Sequence, residues 1–238
     1  MNVDKQLSEN LEFFQRTIHY RFKNINTLVI AFTHSSYANE NRHSDIISNE
    51  RLEFLGDAVL NIIISDYIYR NYPDLPEGEL TRIRASVVCE PSLAQCAKKL
   101  NIGKFLLLGK GEEMTGGRER ISILSDAFEA ILAAIFLDGD LEAARQWALS
   151  QLEPTIKAAA QGTVFRDYKT LLQEYIQRNG EERIEYEIVK ECGPDHNKEF
   201  YVEVRHSNKV IGTGSGKSKK EAEQNAAKYA LEQLRLTI

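Results

Sequence analysis

The sequence predicts an all-α N-terminal part followed by a small α+β part with the order helix, three strands, helix. Two observations predict this division. Up to about residue 159, apolar residues recur at helical spacing. After Thr163 the pattern changes, and short segments alternate apolar and polar side chains as strands do. A length of 238 residues suits one large domain or two small ones.

The N-terminal part divides into helices at polar, proline-containing or glycine-rich breaks. Pro73 and Pro76 end one helix, and Pro154 predicts a break or restart in another. The polar run at 38–48 predicts a loop, and 102–120, with five glycines, predicts a mobile one. The predicted helices lie within residues 7–32 and at 49–72, 80–88, 91–100, 121–138 and 141–159.

The C-terminal part contains two predicted helices and three predicted strands. The helices lie at 168–177 and 218–234, and the second carries small residues on the face expected to pack. The strands lie at 184–189, 200–204 and 209–214.

Charge, apolar runs and cysteines limit the class of protein. The formal net charge of −5 lies in the first part, because residues 163–238 contain 13 basic and 13 acidic side chains. Any nucleic-acid contact must therefore come from a local basic patch. No apolar run approaches the roughly 20 residues of a membrane span. The N-terminus lacks a signal-peptide pattern, and three cysteines without metal-ligand spacing predict reduced thiols in a cytoplasmic protein.

Three carboxylates fall on one face of the long helix predicted after the polar loop. They are Glu50, Glu53 and Asp57. Leu60 and Ile64 lie beneath them on the same helix, so the acidic face is expected to be semi-buried. Clustered carboxylates in such a setting need a metal ion or a proton. The alternative is a solvated acidic face, although no basic residue on that face would neutralise it.

A second pair of acids, Asp126 and Glu129, shares one face of a helix that is otherwise strongly apolar. Combined with Glu53 and Asp57, this pair would supply four carboxylate ligands from two helices. Neither cluster contains histidine or cysteine, and all-oxygen ligation favours Mg²⁺ or Mn²⁺ over Zn²⁺. Glu77 has the alternative interpretation of an acid that only favours a helix start.

Two other patterns are weaker. Glu40-x-x-His43 and Glu203-x-x-His206 match half-motifs of di-iron proteins, but those motifs require helices. Here one pattern lies in a predicted loop and the other in a predicted strand. His34 stands beside hydroxyl side chains, where a lone histidine is more often structural than catalytic.

The segment 49–57, NERLEFLGD, matches the signature of the ribonuclease III family. Glu77-Gly78 and Asp126-x-x-Glu129 fall where that family has its other acidic residues. The C-terminal part resembles a double-stranded-RNA-binding domain. Its marks are KTLLQE at 169–174, GPDH at 193–196 and the glycine- and lysine-rich segment 212–222. The resemblance extends from about residue 11 to residue 234.

The resemblance implies domain bounds and a metal centre. It places an endonuclease domain at 8–156, a linker at 157–164 and a double-stranded-RNA-binding domain at 165–236. The implied ligands of Mg²⁺, for which Mn²⁺ could substitute, are Glu53, Asp57, Asp126 and Glu129. The residues implied in catalysis are Asp57, Glu129, Glu50 and Glu77. Of these, Glu50 and Glu77 would support the site from close by. No organic cofactor is expected.

The resemblance also implies RNA contacts and a homodimer. The first helix of the second domain would contact one minor groove, the loop between its first two strands would contact the next, and lysines at the start of its last helix would bind phosphates. These residues are Thr170, Gln173, Glu174, His196, Lys217, Lys219 and Lys220. Phe54 would enter a pocket on a second subunit, which places two sites on one duplex.

We therefore expect a Mg²⁺-dependent endoribonuclease that cleaves double-stranded RNA and leaves 5′-phosphate and 3′-hydroxyl ends. Its expected substrates are ribosomal RNA precursors and other structured RNAs, including messenger and transfer RNAs. The alternative is a protein that binds duplex RNA without cutting it. A di-metal oxidase or phosphohydrolase of another helical family is a more distant alternative.

Overall fold

The structure is a computed structural model that describes residues 5–42, 44–162, 168–179, 184–193, 198–207 and 209–234. The chain forms two compact units, Met1–Phe165 and Arg166–Ile238. Each unit is described by itself.

The described residues of the first unit form nine α-helices, and each helix predicted from the sequence is present. The helices are α1 (Lys5–Thr17), α2 (Ile25–Phe32), α3 (Ser35–Glu40), α4 (Glu50–Asn71), α5 (Glu77–Val88), α6 (Glu90–Lys99), α7 (Lys110–Met114), α8 (Ile121–Asp138) and α9 (Leu141–Ala160). Within the described part of the chain, no helix is both long and apolar enough to cross a membrane.

Helix α8 is the centre of the first unit. It is apolar on nearly every side, which is typical of a helix surrounded by other elements. Helix α4 packs closely against it and buries Leu60, Ile63 and Ile64 completely. Because the predicted acidic cluster of each helix lies in its first half, this packing brings the two clusters to the same place.

The C-terminal end of α8 is fixed by one carboxylate. Asp138 accepts hydrogen bonds from the Tyr20 hydroxyl (3.0 Å) and from the backbone N–H groups of Lys23 (2.9 Å) and Asn24 (2.8 Å). These bonds join the end of the central helix to the segment before α2.

The glycine-rich segment contains helical structure, which corrects the prediction of a loop over the whole of 102–120. It contains α7 between two 3₁₀ turns. Arg118 donates hydrogen bonds from Nη1 to the carbonyl oxygens of Gly103 (2.8 Å) and Leu106 (2.9 Å). The glycine count suggested irregularity, but one arginine satisfies carbonyl groups that the turns would otherwise leave without partners.

Pro154 lies inside α9 and does not break it, which corrects another prediction. It stands on the exposed side of the helix, so the carbonyl group that loses an N–H partner can be solvated. Helix α9 continues to Ala160 and therefore into the predicted linker. Helix α3 extends to Glu40, so the polar loop starts later than predicted.

The second unit contains two helices and one antiparallel sheet. Its elements are α10 (Tyr168–Asn179), β1 (Ile184–Cys192), β2 (Glu199–His206), β3 (Lys209–Gly216) and α11 (Lys219–Gln233). The strand order is β1-β2-β3, and the central strand buries Val202 and Val204 in the core of the unit. Each strand is longer than predicted. In β1, a register shift between Ile188 and Lys190 ends the regular alternation on which the prediction depended.

Strand β3 lies very close to α11. A Cβ atom on Gly212 or Gly214 would overlap backbone atoms of Ala226. The small-residue packing face predicted for this helix is confirmed, because its buried residues are Ala222, Ala226, Ala227, Ala230 and Leu231.

Candidate functional site

An open cleft lies between α4, α8 and the junction of α5 with α6. Its lining residues are Glu53, Phe54, Asp57, Val88, Glu90, Ser125, Asp126 and Glu129. One carboxylate oxygen from each of Glu53, Asp126 and Glu129 lies within 4.8 Å of the other two. The structure therefore brings together acids from the two helices that the sequence singled out.

Close packing of α4 on α8 creates this cleft. Gly56 lies against Glu129, and a Cβ atom at Gly56 would overlap the carbonyl group of Glu129. Only glycine permits such an approach of two backbones. Glu53, one turn before Gly56, can therefore lie beside the acids of α8.

Burial and mutual repulsion raise the pKa values of three carboxylates in the cleft. Burial, followed by the charges of Glu53 and Glu90, raises the pKa of Asp126 to about 6. Burial, followed by the charges of Asp57 and Asp126 and of more distant acids, raises the pKa of Glu129 to about 8. Burial and then neighbouring acids of α4 raise the pKa of Glu53. At neutral pH the group therefore holds a proton unless a cation neutralises it.

The donor set fits a hard divalent cation. The residues that line the cleft include no histidine or cysteine, so carboxylate oxygens and water would supply the ligands. Mg²⁺ and Mn²⁺ favour such ligands, whereas Zn²⁺ commonly takes nitrogen or sulfur ligands. A cation would also relieve the repulsion among the carboxylates.

Two predicted residues lie at the edge of this arrangement. Asp57 lines the cleft but is not one of the three closely spaced carboxylates, and its Oδ1 accepts a hydrogen bond from the Asn61 amide (2.8 Å). Glu50 does not line the cleft, and its Oε2 accepts a hydrogen bond from the Ser48 hydroxyl (2.9 Å). The charge of Glu50 nevertheless contributes to the raised pKa of Glu53, behind burial.

The structure does not bring Glu77 to this cleft within one chain. Glu77 is the first residue of α5, whereas Val88 lines the cleft from the other end of that helix. Its Oε1 accepts a hydrogen bond from the Thr81 hydroxyl (2.8 Å), and it lines a separate groove with Asp66 and Arg84. Its supporting role stays a prediction for the assembled protein.

Glu90 is a cleft residue that the sequence did not predict. It is the first residue of α6, and its charge contributes to the raised pKa values of Asp126 and Glu129. In the sequence it resembles any acid at a helix start that is followed by proline. Only the fold shows that α6 begins beside the acids of α8, so no local signal could have identified it.

Phe54 lines the cleft and yet is 81% exposed. Ile62, about two turns further along α4, is 58% exposed, although its spacing from Leu52, Leu55 and Val59 predicts that it lies with them on the apolar face of the helix. The reason is that α8 packs on the side of α4 that carries Gly56 and Leu60. Large apolar side chains exposed along one helix are typical of an interaction surface.

The candidate RNA-binding lysines stand at the N-terminal end of α11, and Lys217, Lys219 and Lys220 are all exposed. Ser218 Oγ accepts a hydrogen bond from the Glu221 N–H (3.2 Å), and Glu221 Oε2 accepts one from the Lys217 N–H (2.8 Å). This reciprocal cap fixes the path of the chain through the lysines. Cations at a helix N-terminus suit phosphate groups.

Thr170 and Gln173 are exposed on α10, on adjacent turns of one face. Helix α10 packs against α11, and Lys169 forms an ion pair with Glu223 at 2.5 Å across the two helices. The two helices that carry candidate RNA contacts are therefore held to each other.

The remaining candidates have structural roles or lie outside the described residues. His34 caps α3, because its Nδ1 accepts a hydrogen bond from the Ser36 N–H (3.2 Å), which agrees with the structural interpretation. His43, His196 and the side chain of Glu174 lie outside the described residues.

The chain matches two family models. Residues 24–156 match a family described as ribonuclease-III-like, and residues 168–234 match the double-stranded RNA binding motif. The first match spans more than half of the chain and includes all the acidic residues of the cleft.

Curated relatives match over nearly the whole chain. A protein named Ribonuclease 3 from Caldanaerobacter subterraneus subsp. tengcongensis is 52% identical over 224 residues, which cover 94% of this chain and 98% of that protein. A Ribonuclease 3 from Bacillus cereus is 51% identical over 227 residues, which cover 95% of this chain and 92% of that protein.

Solved structures match the first unit. The nuclease domain of ribonuclease III from Campylobacter jejuni aligns with a TM-score of 0.57 and 41% identity, covering 62% of this chain and 96% of that one. A second structure of that domain has a TM-score of 0.57 and 42% identity, covering 60% of this chain and 96% of that one. It is described as showing structural flexibility in a region involved in dimer formation.

Proposed function

The chain belongs to the ribonuclease III family, and from this premise we propose that it is a Mg²⁺-dependent endoribonuclease that cleaves double-stranded RNA. The observation that carries the proposal is the cluster of carboxylate oxygens from Glu53, Asp126 and Glu129, in a chain that also contains a double-stranded RNA binding motif. The two curated relatives described above are both named Ribonuclease 3. Cleavage would leave 5′-phosphate and 3′-hydroxyl ends.

The carboxylates of α4 and α8 would hold the cation. When bound, Mg²⁺ makes a coordinated water more acidic and neutralises charge that develops on the phosphate. The protein keeps the side chains of Glu53, Asp126 and Glu129 close together. Glu129 would release its proton when the cation binds. Asp57, which also lines the cleft, would complete the ligands, with Glu50 and Glu77 in support.

A homodimer would place two such clefts on one duplex. Phe54 supports this proposal, because an aromatic side chain that is 81% exposed beside the cleft suits a pocket on a second subunit. Each subunit would then cut one strand, which yields a staggered double-strand break.

The second unit would bind the duplex by shape and charge. A-form RNA presents phosphates and 2′-hydroxyl groups more openly than base edges, so a module of this kind needs little base recognition. The exposed lysines at the N-terminal end of α11, which are Lys217, Lys219 and Lys220, would bind phosphates. The exposed side chains of Thr170 and Gln173 on α10, with Glu174 and His196, would contact the minor grooves.

The substrates that we propose are ribosomal RNA precursors and other structured RNAs. Any long duplex of suitable shape would satisfy the contacts described above. A cytoplasmic location is part of the proposal and is supported by three free cysteines, Cys89, Cys96 and Cys192.

The experiment that tests the proposal is cleavage of a plain RNA duplex with and without Mg²⁺. We expect the unaltered chain and the control Glu119→Gln, which removes an exposed acid outside the cleft, to cut only with the cation. Glu129→Gln should bind the duplex and leave it intact. If all three proteins bind the duplex and none cuts it, the protein is a duplex-binding protein without nuclease activity.

A further inference from the structure

Glu90 enters the acidic cleft from a third direction. The predicted ligands come from α4 and α8, whereas Glu90 is the first residue of α6. It lies outside the close group formed by Glu53, Asp126 and Glu129. Glu90 therefore lines the cleft without sharing the narrow space in which those three oxygens meet.

We propose that Glu90 is a positioning residue of the metal centre, which accepts hydrogen bonds from water coordinated to the cation and thereby strengthens cation binding. The inference rests on the proposed function, because it requires a divalent cation in the cleft. Mg²⁺ usually keeps several coordinated waters, and nearby carboxylates that do not ligate the ion directly can orient those waters.

The junction between α5 and α6 holds Glu90 in place. The Ser92 hydroxyl, in a residue that is 1% exposed, donates a hydrogen bond to the Ser86 carbonyl oxygen (2.7 Å). The Cys89 thiol donates to the same oxygen (3.3 Å). Leu93, in the next turn, is fully buried. The first turn of α6 is thus a rigid support, which a residue that acts through ordered water requires.

The charge of Glu90 acts on the carboxylates of the cleft. It contributes, behind burial, to the raised pKa values of Asp126 and Glu129. Within the described residues, no basic side chain forms an ion pair with Glu90. In the empty cleft this charge is repulsive, and the dipole at the start of α6 offsets part of the cost. Once a cation is present, the same charge attracts it.

The competing interpretation is an acid that only stabilises the start of α6. Such an acid would contribute to helix stability but not to metal affinity. The two interpretations therefore differ in a measurable property other than nuclease activity.

The test is the affinity of the full chain for Mn²⁺, measured by the electron paramagnetic resonance signal of the free ion. We expect Glu90→Gln to weaken binding about 10-fold. Glu90→Asp should restore most of the affinity, because it restores the charge. Glu119→Gln, the matched control, should bind as the unaltered chain does. Circular dichroism checks that each variant is folded.

A second measurement separates a positioning residue from a ligand. Luminescence lifetimes of bound Eu³⁺ in H₂O and D₂O count its coordinated waters, and we expect the same count in Glu90→Gln and the unaltered chain. A higher count in the variant would make Glu90 a direct ligand and overturn the proposal. Unchanged Mn²⁺ affinity in Glu90→Gln would overturn it as well.

Glu129→Gln distinguishes failure of this inference from failure of the proposed function. If that variant loses Mn²⁺ while Glu90→Gln keeps full affinity, only the role of Glu90 is wrong. If Glu129→Gln also binds Mn²⁺ normally, the metal centre and the proposed function are both wrong.

Discussion

Gly56 of α4 lies directly against the carbonyl group of Glu129 on α8. This contact sets the distance between the two helices that carry the acidic residues of the cleft. We expect Gly56→Ala to push the helices apart and to lower the free energy of unfolding by about 1–3 kcal/mol, as overpacking usually does. Mn²⁺ affinity should fall with it. Urea denaturation and Mn²⁺ titration measure the two effects.

The control for this substitution is Gly78→Ala. Gly78 also lies in a helix, but a Cβ atom there would meet nothing within 4 Å. That variant should gain about 0.4–1 kcal/mol, because alanine restricts the unfolded chain. Similar losses in both variants would mean that the close approach at Gly56 does not determine the cleft.

Glu129 makes the metal-free protein less stable as the pH rises. Burial and nearby acids raise its pKa from the ordinary 4.5 to about 8, so the folded chain keeps a proton that the unfolded chain releases. The contribution of protonated Glu129 to the free energy of unfolding is therefore fully present below pH 4.5 and is lost as the pH rises to about 8. At pH 8 in the presence of a chelator, the free energy of unfolding of Glu129→Gln should exceed that of the unaltered chain by about 2 kcal/mol. This figure is lower than the full pKa shift implies, because Glu129 is partly exposed to solvent.

Thermal unfolding at pH 5 and pH 8 in the presence of a chelator checks this prediction. The unaltered chain should lose more stability than Glu129→Gln over that interval, although the variant lacks nuclease activity. Parallel losses in the two proteins would show that other groups cause the pH dependence.

Phe54→Ala should weaken the proposed homodimer without harming the fold. The side chain is 81% exposed in the single chain, so its removal leaves no cavity in the core. An aromatic anchor at an interface typically contributes at least about 2 kcal/mol, which corresponds to roughly a 30-fold rise in the dissociation constant. Sedimentation equilibrium measures that constant.

Met114→Ala is the matched control, because Met114 is 87% exposed and does not line the cleft. It should leave the dimer unchanged. If the two variants sediment identically, Phe54 is not an anchor of the interface.

Lys220→Ala should weaken the binding of duplex RNA of any sequence. Lys220 is exposed beside the capped start of α11, where it would contact a phosphate. Loss of one phosphate contact should reduce the slope of log affinity against log salt by about 1. Fluorescence anisotropy at several salt concentrations measures the slope, and Lys209→Ala, at the exposed start of β3, is the control. An equal effect of both substitutions would indicate general charge attraction and not a specific contact.

The sequence was most informative where residues conflict with their surroundings. Acids within apolar helices are unusual, and for that reason Glu53, Asp126 and Glu129 could be selected from the sequence. The structure brings these three residues together. The helices and strands could be predicted because their apolar periods are regular. The predicted bounds were less accurate where a single long-range contact determines the local structure. Arg118 is the example, because its hydrogen bonds to Gly103 and Leu106 hold together a segment that its glycines suggested was a loop.

The residues that sequence reasoning missed depend on which elements become neighbours. Glu90 has the local features of an ordinary helix start, and only the packing of α6 beside α8 brings it to the cleft. Ile62 fits an apolar stripe by its spacing, but the buried side of α4 is set by the position of Gly56. Neither fact is encoded within a few residues of the position concerned.

The acids of the cleft join points that are far apart along the chain, since Glu53 and Asp126 are separated by 73 positions. A cation held by both would act as a removable cross-link that closes a loop containing α5, α6 and α7. Closing a long loop lowers the entropy of partly opened chains, and a ligand that binds only the folded form stabilises it in proportion to its concentration. The supply of divalent cation would therefore influence how long the helical unit resists proteolysis.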